Sequence, residues 1–151
     1  MDRQSLADTC WVEHKILEHV KAALRLTLDW DVPAVGIPRK LSSVRFTLKS
    51  FQRHLRRLVK LEESGGYMAM VGEFKPNMYQ QAEALLAEHE SFRQSLDAIV
   101  PAIDSLTKND AERFNQICAE IRSLLDRVDE HDRKEVELLQ EALLSDEGGE
   151  G

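Results

Sequence analysis

The chain has 151 residues, a net charge of −7, and 42% hydrophobic and 31% charged residues. This length and balance favour one folded domain with its own core and exclude a disordered chain. Acidic and basic residues are interspersed, which argues against nucleic acid as a partner, and no apolar run approaches the roughly 18 residues of a membrane span. Because the N-terminus also lacks an apolar signal segment, we expect a cytoplasmic protein with no membrane partner.

Apolar residues at three- and four-residue steps predict a first helix from about Ser5 to Leu28. Pro33, Gly36 and Pro38 predict a connector over residues 29–40. A second helix is expected from about Leu41 to Ser64, where Gly65 and Gly66 stop it.

A third helix begins near Pro76, a favourable first-turn residue. Its inward positions follow an unbroken alternation of four- and three-residue steps: Met78, Ala82, Leu85, His89, Phe92, Leu96 and Ile99. Pro101 can end or kink this helix, and Asn109 or Asp110 can cap a fourth that reaches Leu144. Residues 1–144 are therefore predicted to form an all-α, antiparallel up-down-up-down four-helix bundle, followed by a flexible acidic, glycine-rich tail over residues 145–151.

The two cysteines, Cys10 and Cys118, lie far apart at predicted inward helix positions. Cysteine at such positions usually behaves as a small hydrophobic residue. We predict buried free thiols rather than a disulfide or a metal-ligand pair.

Four of the five histidines lie at or beside the apolar stripes, one on each predicted helix: His14, His54, His89 and His131. Glu135 follows His131 by four residues, so both side chains project from the same face of the fourth helix. Any one of these histidines alone is adequately explained as a core imidazole hydrogen-bonded to backbone or carboxylate. Counting residues from the predicted connectors places His14 level with His54, and His54 within about one turn of His89.

Several half-buried imidazoles at one depth would destabilise the core unless something paired them. Imidazole together with carboxylate suits iron, zinc or manganese. The joint pattern therefore favours a metal site in the bundle interior. His89 and His131 match in depth only if the third helix continues past Pro101 or the fourth helix overhangs it.

These residues resemble the hemerythrin-like (HHE cation-binding) domain family, a four-helix bundle whose members commonly hold two irons. The resemblance covers roughly residues 8 to 140 and rests on the order His14, His54, His89, then His131 with Glu135. Glu13-His14 and Glu88-His89 are similar to the segments around the family's metal histidines. The resemblance implies metal ligation by these four histidines and Glu135.

One position departs from the family pattern of His-x3-Glu on the second helix, because Leu58 follows His54 by four residues. Glu62 is the nearest later carboxylate, eight residues and roughly 12 Å of helix rise beyond His54, and is the tentative sixth ligand. Glu13 and Glu63 are weaker substitutes.

The resemblance implies a non-haem iron protein, with two irons expected and one iron, zinc or manganese as alternatives, that binds or senses oxygen, nitric oxide or peroxide, or handles iron. A metal-free or single-metal helical interaction module with a decayed site is the alternative, with a protein partner on the acidic surface or on the basic cluster Arg53, Arg56, Arg57 and Lys60. An iron-dependent oxidase or peroxidase is a third interpretation, and the sequence favours no particular reaction.

Overall fold

The computed structural model describes residues 3–65 and 76–148 of the chain. Within these two ranges the regular structure is helical and contains no strand, which confirms the predicted all-α class. The elements are α1 (Arg3–Leu28), the short α2 (Val32–Val35), α3 (Ile37–Gly65), a 3-10 turn (Pro76–Met78), α4 (Tyr79–Asp104) and α5 (Ala111–Gly148). None of the described helices is both long and apolar enough to cross a membrane.

The four long helices run antiparallel to their neighbours, as predicted. Between α1 and α3, the Thr27 hydroxyl lies 3.1 Å from that of Thr47, whereas His14 meets Glu62, so residue numbers rise along one helix as they fall along the other. The other neighbouring helices are antiparallel by the same test. Helices α3 and α4 make the contacts Arg45–Ile103 and Glu63–Arg93, and α4 and α5 make Ser95–Arg127 and Glu88–His131. Helices α1 and α5 make Lys21–Asp129 and Arg25–Asp126.

Helix α3 begins at Ile37, four residues before the predicted start. Pro38 lies in its first turn, where a missing N–H removes no helical hydrogen bond. Gly36, with a φ of 89°, makes the sharp change of direction between α2 and α3 that a side chain would strain. The prolines in this connector therefore start helices rather than prevent them.

Helix α4 continues through Pro101 to Asp104, so the proline does not end it. Pro101 has no N–H, so the carbonyl of Asp97, four residues earlier, loses its helical hydrogen bond. Both residues lie on the exposed face of the helix. Water can therefore satisfy the freed carbonyl, and the backbone hydrogen bond from Ser105 to Pro101 closes the last turn.

Helix α5 extends to Gly148, four residues beyond the predicted end at Leu144. Residues 149–151 and the predicted connector over residues 67–75 lie outside the described residues, and the flexibility of the tail stays a prediction.

Among the residues that the structure describes, the buried apolar side chains form two clusters. The larger fills the part of the bundle that extends from Leu17, Leu58 and Phe92 toward the α1–α3 and α4–α5 connections. The smaller lies toward the opposite end of the bundle and comprises Met78, Ala82, Leu85 and Leu138. Polar side chains occupy the interior between the two clusters.

Candidate metal centre

Five imidazole and carboxylate side chains from all four long helices meet in this polar layer. They are His14 on α1, Glu62 on α3, His89 on α4, and His131 with Glu135 on α5. His89, His131 and both carboxylates are buried, and His14 is half-buried.

Each carboxylate faces two different imidazoles through its two oxygens. Glu62 Oε1 lies 3.2 Å from His14 Nε2, and Glu62 Oε2 lies 3.2 Å from His89 Nε2. Glu135 Oε1 lies 3.4 Å from the same nitrogen of His14, and Glu135 Oε2 lies 3.3 Å from His131 Nε2. Each carboxylate thus links imidazoles of two different helices.

The donor atoms fall into two overlapping sets, within each of which all atoms lie within 4.8 Å of one another. One set is His14, Glu62 and Glu135, and the other is Glu62, His89 and His131. Each set offers one ligand atom per residue, so each could hold a metal ion.

Several of these donor atoms lack hydrogen-bond partners. Glu62 Oε2 and both Glu135 oxygens are buried without a hydrogen bond of acceptable geometry. Each such atom costs about 1–3 kcal/mol of folding free energy, and more where it carries charge. Cations bound at the two donor sets would compensate these oxygens, so the residues present fit a metal.

The carboxylates and imidazoles also alter one another's protonation. Burial lowers the pKa of His14, but the neighbouring Glu135 and Glu62 carboxylates outweigh burial and raise it from 6.5 to about 10. Burial likewise opposes protonation of His131, yet Glu135 and Glu88 raise its pKa. Burial raises the pKa of Glu135, but His131 and His14 hold it well below its usual range. Without a cation, a proton on His14 therefore offsets part of the buried carboxylate charge.

Two outer carboxylates orient the deeper imidazoles. Glu63 Oε1 lies 3.2 Å from His89 Nδ1, and Glu88 Oε2 lies 2.8 Å from His131 Nδ1. Each contact leaves Nε2 directed at the inner carboxylates, as in the carboxylate–histidine pairs of metal sites. From the sequence, Glu63 is expected only as a weak substitute ligand, and Glu88 only as the residue before His89. The i, i+1 spacing of Glu88 and His89 alone gives no reason to expect contact with His131.

The structure brings together five of the six predicted ligands, and His54 is the exception. His54 Nδ1 lies 3.7 Å from Glu13 Oε2, and Glu13 Oε1 accepts a hydrogen bond from Arg57. Among the described residues, no set of three candidate metal donors includes His54. On α3 the position level with the centre belongs to Glu62, and the position one turn before it holds the buried Leu58.

The reason lies in the register of α1 and α3. Depth counted from the connector assumes that both helices start level, but Thr47 rather than Leu41 lies opposite Thr27. The first ten residues of α3, about 15 Å of helix, therefore extend beyond the end of α1. This overhang puts Glu62, not His54, opposite His14.

A further acidic group on α1 and α5 surrounds a lysine. The Lys21 ammonium, with 4% of its side chain exposed, lies 2.7 Å from Glu18 Oε1, 2.6 Å from Asp129 Oδ1 and 3.1 Å from Asp132 Oδ2. Lys21 thus provides the cation for this group. Asp132 also lies within 4.8 Å of the donors of His131 and Glu135, a proximity that helical spacing from His131 did not reveal.

The cysteines lie where the sequence predicts, because both are buried free thiols. Burial, with the negative charges of Glu62 and Glu135, raises the pKa of Cys10 to about 11. Its thiol therefore stays protonated at neutral pH, which disfavours metal ligation.

Fold and interior together define a four-helix bundle with a histidine–carboxylate centre capable of holding cations. The hemerythrin HHE cation binding domain family matches residues 5–143, nearly the whole chain. The chain therefore belongs to this family, as the resemblance indicated. Comparison with curated proteins and with solved structures gives no significant match.

Proposed function

We propose that this protein binds two iron ions at the centre formed by His14, Glu62, His89, His131 and Glu135, and uses them to bind or sense oxygen, nitric oxide or peroxide, or to handle iron. The observation that carries the proposal is the pairing of each carboxylate with two different imidazoles through separate oxygens. Such carboxylates can serve two cations at once, and the mixed nitrogen and oxygen donor set suits iron.

Bound iron would be redox-active and could coordinate a diatomic or peroxide ligand. The protein's own contribution is to hold the imidazoles and limit water. The Phe92 ring meets His131 edge to face at a centroid distance of 5.2 Å, and Leu58 is buried one turn from Glu62. This apolar lining restricts solvent on one side of the centre, which tunes the redox potential of a site.

Anaerobic loading of the purified full chain with Fe²⁺, followed by metal analysis, tests the proposal. We expect about two irons per chain, an absorption change on adding oxygen, nitric oxide or peroxide, and reduced occupancy in Glu135→Ala and His89→Ala. His19→Ala is the matched control, because His19 lies on the same helix as His14 but is exposed.

Metal content also separates this proposal from the metal-free interaction module. Fewer than about 0.2 transition-metal ions per chain after anaerobic loading would refute the proposal, since a preformed donor set should be filled. Turnover with peroxide or oxygen would distinguish an enzyme from a carrier or sensor.

A further inference from the structure

The two halves of the centre differ in donors and in exposure. One half has two imidazoles, His89 and His131, whose side chains are 2% and 5% exposed. The other has a single imidazole, His14, whose side chain is 29% exposed. We name these halves the inner position and the outer position. Both share Glu62.

The inner imidazole of α4 is held by a chain of charged contacts. Glu63 Oε1 lies 3.2 Å from His89 Nδ1, and both oxygens of Glu63 accept hydrogen bonds of 2.6 Å from Arg93. The guanidinium fixes the carboxylate, which in turn fixes the rotation of the ring. His89 therefore presents Nε2 to the centre before any cation binds.

The inner imidazole of α5 has an equivalent arrangement. Glu88 Oε2 lies 2.8 Å from His131 Nδ1, and Glu88 Oε1 accepts a hydrogen bond of 3.1 Å from Lys134. By contrast, within the described part of the chain His14 makes polar contacts through Nε2 alone, to Glu62 and Glu135. The inner imidazoles are thus preorganised by outer partners to a greater extent than His14.

We propose that the two metal positions are inequivalent: the inner position loads first and holds its ion tightly, whereas the outer position loads second and exchanges its ion with solvent. This inference rests on the proposed metal-binding function. Its physical basis is that two fixed imidazoles bind a transition metal more strongly than one, and that a solvent-exposed ligand leaves an escape route. A stable form with one ion, at the inner position, follows.

Stepwise titration of the metal-free full chain with Co²⁺, in competition with a chromophoric chelator, tests this order. We expect two binding steps whose affinities differ by at least about tenfold, and rapid removal by excess chelator of one ion of the two. Two ions bound with equal affinity and released together would overturn the inference while leaving the proposed function intact. No bound ion in the wild-type chain would refute both.

Variants assign the steps to the two positions. His14→Gln should keep the tight step and lose the weak one, whereas Glu88→Gln should weaken the tight step by about 10–100-fold. Glu83→Gln is the matched control, because Glu83 lies on the same helix but is exposed. Loss of the tight step in His14→Gln, with helix content unchanged by circular dichroism, would overturn the assignment. The wild-type titration decides the inference even if a variant fails to fold.

Discussion

Metal and protons should compete for His14, and the size of this competition follows from the structure. The Glu135 and Glu62 carboxylates outweigh burial and raise the pKa of His14 to about 10, so the ring is protonated at pH 7 in the metal-free chain. Binding a metal through Nε2 requires the neutral ring. Because pH 7 lies three units below this pKa, and each unit corresponds to about 1.4 kcal/mol, removing the proton from His14 at pH 7 costs about 4 kcal/mol.

Thermodynamic linkage gives the direction in which pH changes the metal affinity of His14. A histidine with a raised pKa stabilises the metal-free fold below its unfolded value of 6.5, and this stabilisation is lost as pH rises through about 10. Raising pH therefore weakens the proton's hold on His14 and favours the metal. Affinity for the ion at His14 should increase about tenfold per pH unit from pH 6.5 to 8.5, whereas an ordinary imidazole would level off near pH 7.5.

Isothermal titration calorimetry with Zn²⁺ in buffers of different ionisation enthalpy measures this effect, because it counts protons released per ion. At pH 7.5 we expect at least one proton released in the wild-type chain, and about one proton fewer in His14→Gln but not in His19→Gln. An affinity that is independent of pH between 7.5 and 8.5 in the wild-type chain would refute the reasoning.

Three further substitutions test the scaffold around the centre. Lys21→Met should lower the free energy of unfolding in urea denaturation by about 2–4 kcal/mol, because it leaves three carboxylates without their buried ammonium. Arg133→Met, which removes two surface ion pairs, should lower it much less, and equal losses would contradict this. Arg45→Ala should cost about 1–3 kcal/mol in the same assay, since its guanidinium binds the carbonyls of Ile103 and Leu106 at the end of α4. Leu58→His should add an imidazole one turn from Glu62 and raise the affinity of one of the two Co²⁺ binding steps. Unchanged affinities in a variant with intact helix content would show that the position does not face the centre.

The helices were predictable from the sequence because apolar spacing is a local property. The stripe of α4, for example, appears in the structure as the buried residues Ala82, Leu85, His89, Phe92, Leu96 and Ile99. Helix ends were less predictable, because a proline signals a break whether it lies in a first turn, as Pro38 does, or on an exposed face near a helix end, as Pro101 does.

Most of the centre was also predictable, since a histidine or carboxylate at a core position needs a partner. The position of His54 was not, because register between helices depends on how far each extends past its connector. The overhang of α3 beyond α1 is a tertiary property that spacing within one helix does not carry. The contacts of Glu63 with His89 and of Lys134 with Glu88 were not predicted for a related reason, since each joins two different helices.

The polar layer divides the apolar interior, and this has a consequence for how the bundle opens. Among the described residues, the centre separates the cluster of Met78, Ala82, Leu85 and Leu138 from the large cluster. The centre lies between the two clusters and contacts all four long helices, so removing a bound cation should speed amide hydrogen exchange over residues 82–89 and 131–138 more than over residues 92–103 and 114–128. Metal occupancy of the centre would then change the rate of local unfolding at one end of the bundle.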